Sequence, residues 1–267
     1  MAEEPAENIS GGPDGGGREA AFDPETAGTR AAAVVDALGD SYWRKAYGGR
    51  DAFECLVRTI LSQNTSDTAS QPAFDALLER YGGDGDLAAT LAETTQDDLA
   101  ETIASAGLYN RKSEVILAAA ERILDEYGGA AEFDAFVKGE DPATVRDVLL
   151  DFHGVGPKTA DCVLLFSGGR SGVFPVDTHV HRIARRMGLA PPGADHETVR
   201  EHLERDVPAE KCGFGHTAMI QFGREYCTAR TPACLDGPEA CPLYDLCDRV
   251  GIDEIEGTAV DPGEVVD

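Results

Sequence analysis

The sequence predicts an all-α protein, and three observations favour that class. Apolar residues recur at helical spacing in several segments. Those segments are closed by glycines, and capping residues stand where helices are expected to begin. No run of five or more residues alternates apolar and polar side chains in the way that a half-buried strand requires. We therefore expect helices joined by short loops.

The predicted helices follow one another closely along the chain. An apolar-rich helix comes first, and the second helix stops at Gly82-Gly83. Thr95-Gln-Asp-Asp98 forms a capping box at the start of the third helix. Asp141-Pro142 supplies an N-cap and a first helical residue for the fifth helix. The predicted helices span residues 52–61, 72–81, 95–105, 112–127 and 142–152.

A glycine-punctuated turn, Phe152-His-Gly-Val-Gly-Pro-Lys-Thr-Ala160, leads into a further helix that ends at Gly168-Gly169. Gly154 and Gly156 allow positive φ and close backbone approach, and a helix N-terminus begins directly after them. This arrangement suits a phosphate group, which the backbone N–H groups would hold without reading a base. The alternative is a plain corner between two helices that binds nothing.

Both ends of the chain differ from the middle in composition. Residues 1–22 are rich in Gly, Glu, Ala and Pro and show no apolar period, so we expect disorder there. The segment after Arg249 contains six acidic residues and no basic one, and we expect it to be mobile.

The chain is strongly acidic, with 49 Asp and Glu against 23 Lys and Arg and a net charge of −26. This balance normally argues against a nucleic-acid partner, which binds a basic face. The stretch 151–230 is an exception, because it holds ten basic and ten acidic residues. Only five of the basic residues are Lys, and the acids are dispersed, which indicates a protein adapted to a cytosol of very high salt.

The cysteines indicate a metal site. No secretory segment precedes them and no apolar run reaches 18 residues, so we expect a soluble cytoplasmic protein, in which clustered cysteines bind metal more often than they form disulfides. Four thiolates within 21 residues favour a 4Fe–4S cluster, since the C-x2–4-C pair usual for zinc is missing. Zinc and free thiols are the alternatives. The four are Cys227, Cys234, Cys241 and Cys247, spaced C-x6-C-x6-C-x5-C.

Three further cysteines lie on apolar helical faces or stand alone, and we expect them in the core: Cys55, Cys162 and Cys212.

Six ordered motifs across about residues 30–250 resemble the endonuclease III-like DNA glycosylases of the helix–hairpin–helix superfamily. The resemblance implies a helical-barrel domain of residues 49–172 that ends in the hairpin. It also implies an iron–sulfur cluster domain of residues 23–48 plus 173–250, followed by an acidic tail at 251–267. The motifs are Leu61-Ser-Gln-Asn-Thr-Ser-Asp67, Gly107-Leu-Tyr-Asn-Arg-Lys112, Gly154-Val-Gly-Pro-Lys-Thr-Ala160, Val176-Asp-Thr-His179, Phe222-Gly-Arg-Glu-Tyr-Cys227 and the cysteine set.

By this resemblance Lys158 is the nucleophile and Asp177 its acid–base partner, at opposite lips of one cleft. An amine that attacks C1′ of the sugar forms a Schiff base and permits β-elimination, and a carboxylate stabilises the positive charge that develops on the sugar. The positive end of a helix also favours the unprotonated amine. Taken singly, Lys158 is better explained as a phosphate contact and Asp177 as an N-cap.

The resemblance also assigns residues that contact DNA. A base is extruded from the duplex before reaction, and Asn64 would fill the gap while Leu108 wedges opposite. The bacterial enzyme has Gln where Asn64 stands, which leaves lesion preference open. Leu108 has an alternative as an ordinary turn residue packed on the helix 112–127. His179 would line the pocket or touch phosphate.

The cysteine set departs from the family pattern C-x6-C-x2-C-x5-C, because its middle gap is four residues longer. We expect residues 235–240, which contain Gly237-Pro238, to bulge outward and the cluster to be structural.

The predicted function is that of a bifunctional DNA glycosylase with abasic-site lyase activity from a halophilic archaeon. It would remove damaged bases, foremost oxidised pyrimidines, from double-stranded DNA as a monomer, without contacting a membrane. One alternative is a glycosylase specific for mismatches (T·G, U·G or adenine). Another is a non-catalytic helix–hairpin–helix DNA-binding protein.

Overall fold

A computed structural model describes residues 21–39, 41–42, 47–83 and 85–265. These residues are mostly helical, which confirms the all-α class, and their only strands are two pairs of residues near the C-terminus. The helices are α1 Arg30–Leu38, α2 Ala52–Ser62, α3 Asp67–Tyr81, α4 Leu87–Ala92, α5 Gln96–Thr102, α6 Tyr109–Tyr127, α7 Ala130–Gly139, α8 Pro142–Leu150, α9 Pro157–Phe166, α10 Thr178–Arg186, α11 His196–Asp206 and α12 Cys212–Glu225. None of the described helices is long and apolar enough to cross a membrane.

Short polar side chains fix the starts of seven helices. Each accepts a hydrogen bond from a backbone N–H of the first turn, an arrangement that stabilises a helix by about 1 kcal/mol. The caps predicted at Thr95 and Asp141 are confirmed. Five of the seven caps are aspartates, so part of the acidic excess has a local structural use. The seven are Thr29, Asp51, Asp86, Thr95, Asp141, Asp177 and Asp195.

One compact unit spans residues 47–170 and contains α2 to α9. Helix α2 is its centre and packs against α3, α6, α7 and α9. Nine of the eleven residues of α2 are buried, among them Phe53, Leu56 and Ile60 at 0 % exposure. A helix apolar on nearly every side must be enclosed by other helices, and this enclosure supplies the hydrophobic core of the unit.

The other compact unit consists of residues 21–42 and 171–265 as far as they are described, with α1 and α10 to α12. Helix α12 packs against α1 and α10. Its face contributes the buried residues Phe214, Met219 and Phe222, and Phe174 lies against Gly215 at a distance that leaves no room for a larger side chain.

The expectation of a mobile C-terminal segment is wrong for residues 251–265. β1 Ile252–Asp253 pairs antiparallel with β2 Thr258–Ala259. Arg185 of α10 binds Asp261 at 3.0 Å, and Arg186 donates to the carbonyl of Val260 at 3.3 Å. The segment after Arg249 has no basic residue, and arginines of α10 provide an ion pair and a hydrogen bond to it. Residues 266–267 lie outside the described part of the chain.

The predicted disorder of residues 1–22 falls almost wholly on residues 1–20, which lie outside the described part. Phe22 is described, and its ring packs on that of Phe214 with centroids 4.5 Å apart.

Helix α3 begins five residues earlier than the predicted start at residue 72. Pro72 lies inside the helix and cannot donate the hydrogen bond to the carbonyl four residues before it. Because α3 packs against the apolar α2, tertiary contacts outweigh this local loss. The predicted helix at 95–105 is also divided, since α5 ends at Thr102 and a short 3-10 turn, Ala104–Ala106, follows.

Candidate active site and iron–sulfur domain

The hairpin between α8 and α9 uses its two glycines differently. Gly154 has φ +75°, and a Cβ there would lie 2.7 Å from Cγ2 of Val115, so both backbone and space demand glycine. Gly156 has φ −103° and ψ 175°, ordinary extended backbone, and a Cβ there would meet nothing within 4 Å. Of the two glycines expected to allow positive φ, only Gly154 adopts it. At Gly156 the missing side chain leaves the backbone open to an approaching group.

An ion pair fixes the helices on either side of this hairpin. Arg146 of α8 binds Asp161 of α9 with Nε and Oδ1 2.6 Å apart, and the Asp161 side chain is only 2 % exposed. Removing either partner would leave a charge without its counterion in the interior. The hairpin is consequently held between two helices that cannot separate freely.

Lys158 is the second residue of α9, directly after Gly156 and Pro157, and its side chain is partly exposed. The N-cap Gly156 offers no side chain to the first turn. The amine therefore lies where the partial positive charge of the helix N-terminus is felt and where solvent has access.

Asp177 is the N-cap of α10 and is partly exposed. Its Oδ1 accepts hydrogen bonds from the backbone N–H groups of His179 and Val180, both at 2.9 Å. The capping explanation of Asp177 therefore holds. The cap uses one carboxylate oxygen, and Oδ2 takes no part in it, so capping and chemistry can coexist in this residue.

His179 lies against α12 and is half-buried. Its Nδ1 would stand 2.8 Å from a Cβ at position 223, so Gly223 makes room for the ring. Burial lowers the pKa of His179. Arg182 approaches the same Nδ1 at 3.3 Å and donates to the carbonyl of Cys227 at 2.7 Å. These contacts join His179 to the segment that carries the first cysteine of the set.

The two residues expected to enter DNA both project from turns of the unit 47–170. Leu108 is 59 % exposed at the start of α6 with φ +48°, and Asn64 is exposed after α2 with φ +52°. More than half of the Leu108 side chain is open to solvent, which favours a wedge over a turn residue packed on the helix that follows. A large apolar side chain held out in a sparsely populated backbone conformation makes Leu108 a candidate for a functional contact.

Sequence reasoning missed two residues beside these sites. Lys112 is buried beneath the turns of Asn64 and Leu108, and Arg186 is buried beside the cysteines. The signal for both was available, since each is a basic residue on the apolar face of an amphipathic helix, where a charge is costly unless it is bonded.

The four C-terminal cysteines line one cavity, together with apolar residues such as Phe222 and Tyr226. Cys227 and Cys234 are buried, and Cys241 and Cys247 are partly so. The thiols of Cys227 and Cys247 also meet N–H donors, from Arg186 at 3.6 Å and from the backbone of residue 249 at 3.3 Å. Four cysteines that line one apolar cavity, two of them with N–H donors at the sulfur, are the donor set of an iron–sulfur cluster.

The longer middle gap does not separate the cysteines. The inserted segment forms two short 3-10 turns, Ala233–Asp236 and Pro238–Ala240, on either side of Gly237 with φ +112°. Asp236, Pro238 and Glu239 are exposed, so the segment bulges outward as expected while Cys234 and Cys241 still face the same cavity.

The other cysteines are all buried, as predicted: Cys55, Cys162 and Cys212.

Comparison with known proteins decides the family. Residues 57–209 match the HhH-GPD superfamily of base excision DNA repair proteins, and residues 227–247 match the iron–sulfur binding domain of endonuclease III. The chain belongs to the endonuclease III family. Endonuclease III of Thermotoga maritima is 33 % identical over 74 % of this chain and 83 % of its own length, and that of Bacillus subtilis is 33 % identical over 73 % and 80 %.

Solved structures agree with the sequence relatives. A trapped endonuclease III–DNA covalent intermediate matches with a TM-score of 0.66 at 28 % identity, covering 80 % of this chain and 92 % of that one. A thermostable thymine-DNA glycosylase at 22 % identity shares the fold, with a TM-score of 0.64 over 82 % and 96 %. The protein is thus a helix–hairpin–helix DNA glycosylase of the endonuclease III type with a 4Fe–4S cluster as its cofactor.

Proposed function

We propose that this endonuclease III family member releases damaged bases from double-stranded DNA and then nicks the strand at the abasic site, with Lys158 as nucleophile. The position of Lys158 carries the proposal: the amine follows a backbone turn suited to phosphate and stands in the first turn of α9. We place the protein in the cytoplasm, at the nucleoid, acting as a monomer.

The Lys158 amine must lose its proton before it can attack. It then bonds to C1′ of the sugar while the glycosidic C–N bond breaks and the base leaves with the electron pair. Opening of the sugar ring gives a protonated imine between Lys158 and C1′. Loss of a proton from C2′ expels the 3′ phosphate by β-elimination, and water finally releases the lysine.

Asp177 assists at two points in this scheme. Its carboxylate first stabilises the positive charge that develops on the sugar, and after the bond to C1′ has formed it accepts a proton from the Lys158 nitrogen. Oδ2 is the oxygen available for both tasks, because Oδ1 is engaged by the N–H groups of His179 and Val180.

The remaining predicted residues bind DNA in this proposal. The hairpin N–H groups around Gly154 and Gly156 hold a phosphate, since Gly156 leaves the approach open. Asn64 and Leu108 occupy the space left by the extruded nucleotide. His179 orients the loop that joins α12 to the first cysteine. Through this loop, His179 contributes to binding of the DNA backbone.

Four residues hold the 4Fe–4S cluster in this proposal: Cys227, Cys234, Cys241 and Cys247. The cluster supplies a rigid crosslink within the C-terminal loop and takes no part in bond cleavage. The exposed arginines Arg224 and Arg230 flank Cys227, and the loop presents them to phosphate.

Borohydride trapping on an abasic duplex tests the nucleophile. Reduction of the imine should bond the wild-type protein covalently to DNA. Lys158→Ala should abolish the adduct while leaving duplex binding largely intact. Trapping that persists in Lys158→Ala would assign the chemistry to another amine, and a wild type that neither traps nor nicks would favour the non-catalytic DNA-binding alternative.

A panel of duplexes, each with one modified or mismatched base, distinguishes the possible substrates. Oxidised pyrimidines are the expected substrates. Release from T·G, U·G or adenine opposite an oxidised guanine, with oxidised pyrimidines untouched, would establish the mismatch-specific alternative.

A further inference from the structure

Asn64 and Leu108 hold backbone conformations that are uncommon for residues other than glycine. They are two of the three non-glycine residues with positive φ in the described part of the chain, and Leu108 makes no capping hydrogen bond at the start of α6. For a leucine such a conformation persists only where neighbouring groups hold it.

The ammonium of Lys112 contacts both turns at once. Its Nζ donates to the carbonyl of Leu61 at 2.7 Å and to Oγ1 of Thr65 at 2.7 Å, on either side of Asn64. It also donates to the carbonyl of Ala106 at 2.9 Å, two residues before Leu108. Oγ1 of Thr65 in turn donates to the same Ala106 carbonyl at 2.6 Å.

Lys112 is 3 % exposed, and its three partners are oxygens of neutral groups. A buried ammonium is costly, and a methionine of similar length would fill the space without that cost. Burial lowers the pKa of Lys112 to about 8, so at neutral pH the group still carries its proton and all three N–H donors. The ammonium donates three hydrogen bonds and thereby joins the two turns, which an apolar side chain of the same length cannot do. We call this set of contacts the junction.

A second side chain extends the junction to the hairpin. Nε2 of Gln63, next to Asn64, donates to Oγ1 of Thr159 at 3.1 Å and to the carbonyl of Gly154 at 3.3 Å. The Asn64 turn is therefore linked on one side to the Leu108 turn and on the other to the start of α9.

We propose that Lys112 is a positioning residue that holds Asn64 and Leu108 at a fixed separation, so that both enter the duplex together around the extruded nucleotide. Lys112 itself touches no DNA. The proposal rests on the proposed function, since it concerns the step that exposes the nucleotide to Lys158.

The first measurement is independent of catalysis. The probe is a duplex with a tetrahydrofuran abasic analogue opposite 2-aminopurine, whose fluorescence rises when the base is unstacked. Wild type should raise the fluorescence on binding, and Lys112→Met should bind while losing most of the rise. Thr65→Val, which removes the shared hydroxyl but keeps the lysine, should give an intermediate loss and serves as the second variant where Lys112→Met folds poorly.

A double-mutant cycle separates positioning from general destabilisation. Single-turnover nicking of a natural abasic duplex should fall about 10- to 100-fold in Lys112→Met, as expected for misplaced groups. In a Leu108→Ala background the same change should have a clearly smaller effect, because only the Asn64 turn is left for Lys112 to position. Thermal unfolding should show additive losses.

Lys211→Gln is the matched control. Lys211 is a partly buried lysine of the other compact unit, where Nζ bonds both oxygens of Asp36 at 2.6 and 2.9 Å. This variant should keep the fluorescence rise and the nicking rate at a temperature where it is folded.

A full fluorescence rise in folded Lys112→Met, or effects on nicking that add across the cycle, would overturn the proposal and leave Lys112 as a core residue. Absence of nicking by wild type would overturn the proposed function, and the fluorescence measurement would still decide on Lys112.

Discussion

At the start of α10 the two oxygens of Asp177 differ in what they contact. Oδ1 caps the helix by accepting the N–H groups of His179 and Val180. Oδ2 is outside the cap and is the oxygen that we assign to catalysis. Since the two tasks rest on different atoms, substitutions can separate them.

We expect Asp177→Asn to keep the cap, because Asn and Asp cap helices equally well, and to lower base release by orders of magnitude without weakening DNA binding. Asp177→Ala should lose the same activity and, in addition, about 0.5–2 kcal/mol of unfolding free energy. Chemical denaturation and single-turnover kinetics on both variants make the comparison. Near wild-type turnover in Asp177→Asn would show that Asp177 serves only as a helix cap.

At the scale of an element, the two glycines of the hairpin differ in whether the fold should tolerate alanine in their place. Gly154→Ala should destabilise the fold by roughly 2–4 kcal/mol, because Ala at φ +75° is strained and its methyl meets the buried Val115. Gly156→Ala should keep or slightly raise stability, since its backbone is extended and the space is open.

Gly156→Ala should nevertheless weaken binding to a tetrahydrofuran-containing duplex, because the methyl would occupy the open space through which we propose that a phosphate reaches the backbone N–H groups. Fluorescence anisotropy and thermal unfolding on both variants test this. Unchanged affinity in Gly156→Ala would contradict a phosphate contact at the hairpin and favour a plain corner.

The C-terminal loop is the second element with a direct test. Purified protein should contain about four irons per chain and absorb broadly near ~400 nm, as one cubane cluster requires. Cys234→Ala should lose most of the iron. Cys212→Ala is its control, because Cys212 is buried in the same unit outside the cysteine cavity. Stoichiometric zinc in place of iron in the wild type would refute the cluster.

At the scale of the whole molecule, the charge of −26 opposes both DNA binding and compact folding in dilute buffer. Salt screens this repulsion over a distance that shrinks from about 10 Å at 0.1 M to about 3 Å at 1 M. The close contacts to DNA that we propose at the hairpin and at Leu108 should survive that screening. We propose on this basis that the protein works at the salt concentration of a halophile.

We therefore expect the nicking rate to rise with potassium chloride into the molar range. An ordinary glycosylase that neutralises several phosphates loses affinity steeply as salt increases, with a slope near ~−0.9 per phosphate. Rates at fixed temperature, with circular dichroism recorded alongside, separate refolding from binding. A rate that peaks near ~0.1 M and falls at ~1 M would contradict the halophile proposal and leave the enzyme assignment intact.

The sequence by itself determined the helical class, the caps at Thr95 and Asp141, and the cysteine set. These features depend on residues close together in the chain: an N-cap acts within three residues, and an apolar period within a few turns. The motifs likewise identified the family, because each is a short run of residues.

Only the tertiary structure decided the rest. Lys112 meets Leu61 across 51 positions, and Arg185 meets Asp261 across 76, so neither the junction beneath the turns of Asn64 and Leu108 nor the folding of residues 251–265 follows from local pattern. The difference between Gly154 and Gly156 depends on Val115, a residue of another helix. In each case the stabilising free energy comes from contacts between groups that only folding brings together. The local sequence does not show which partner a buried or charged side chain will contact.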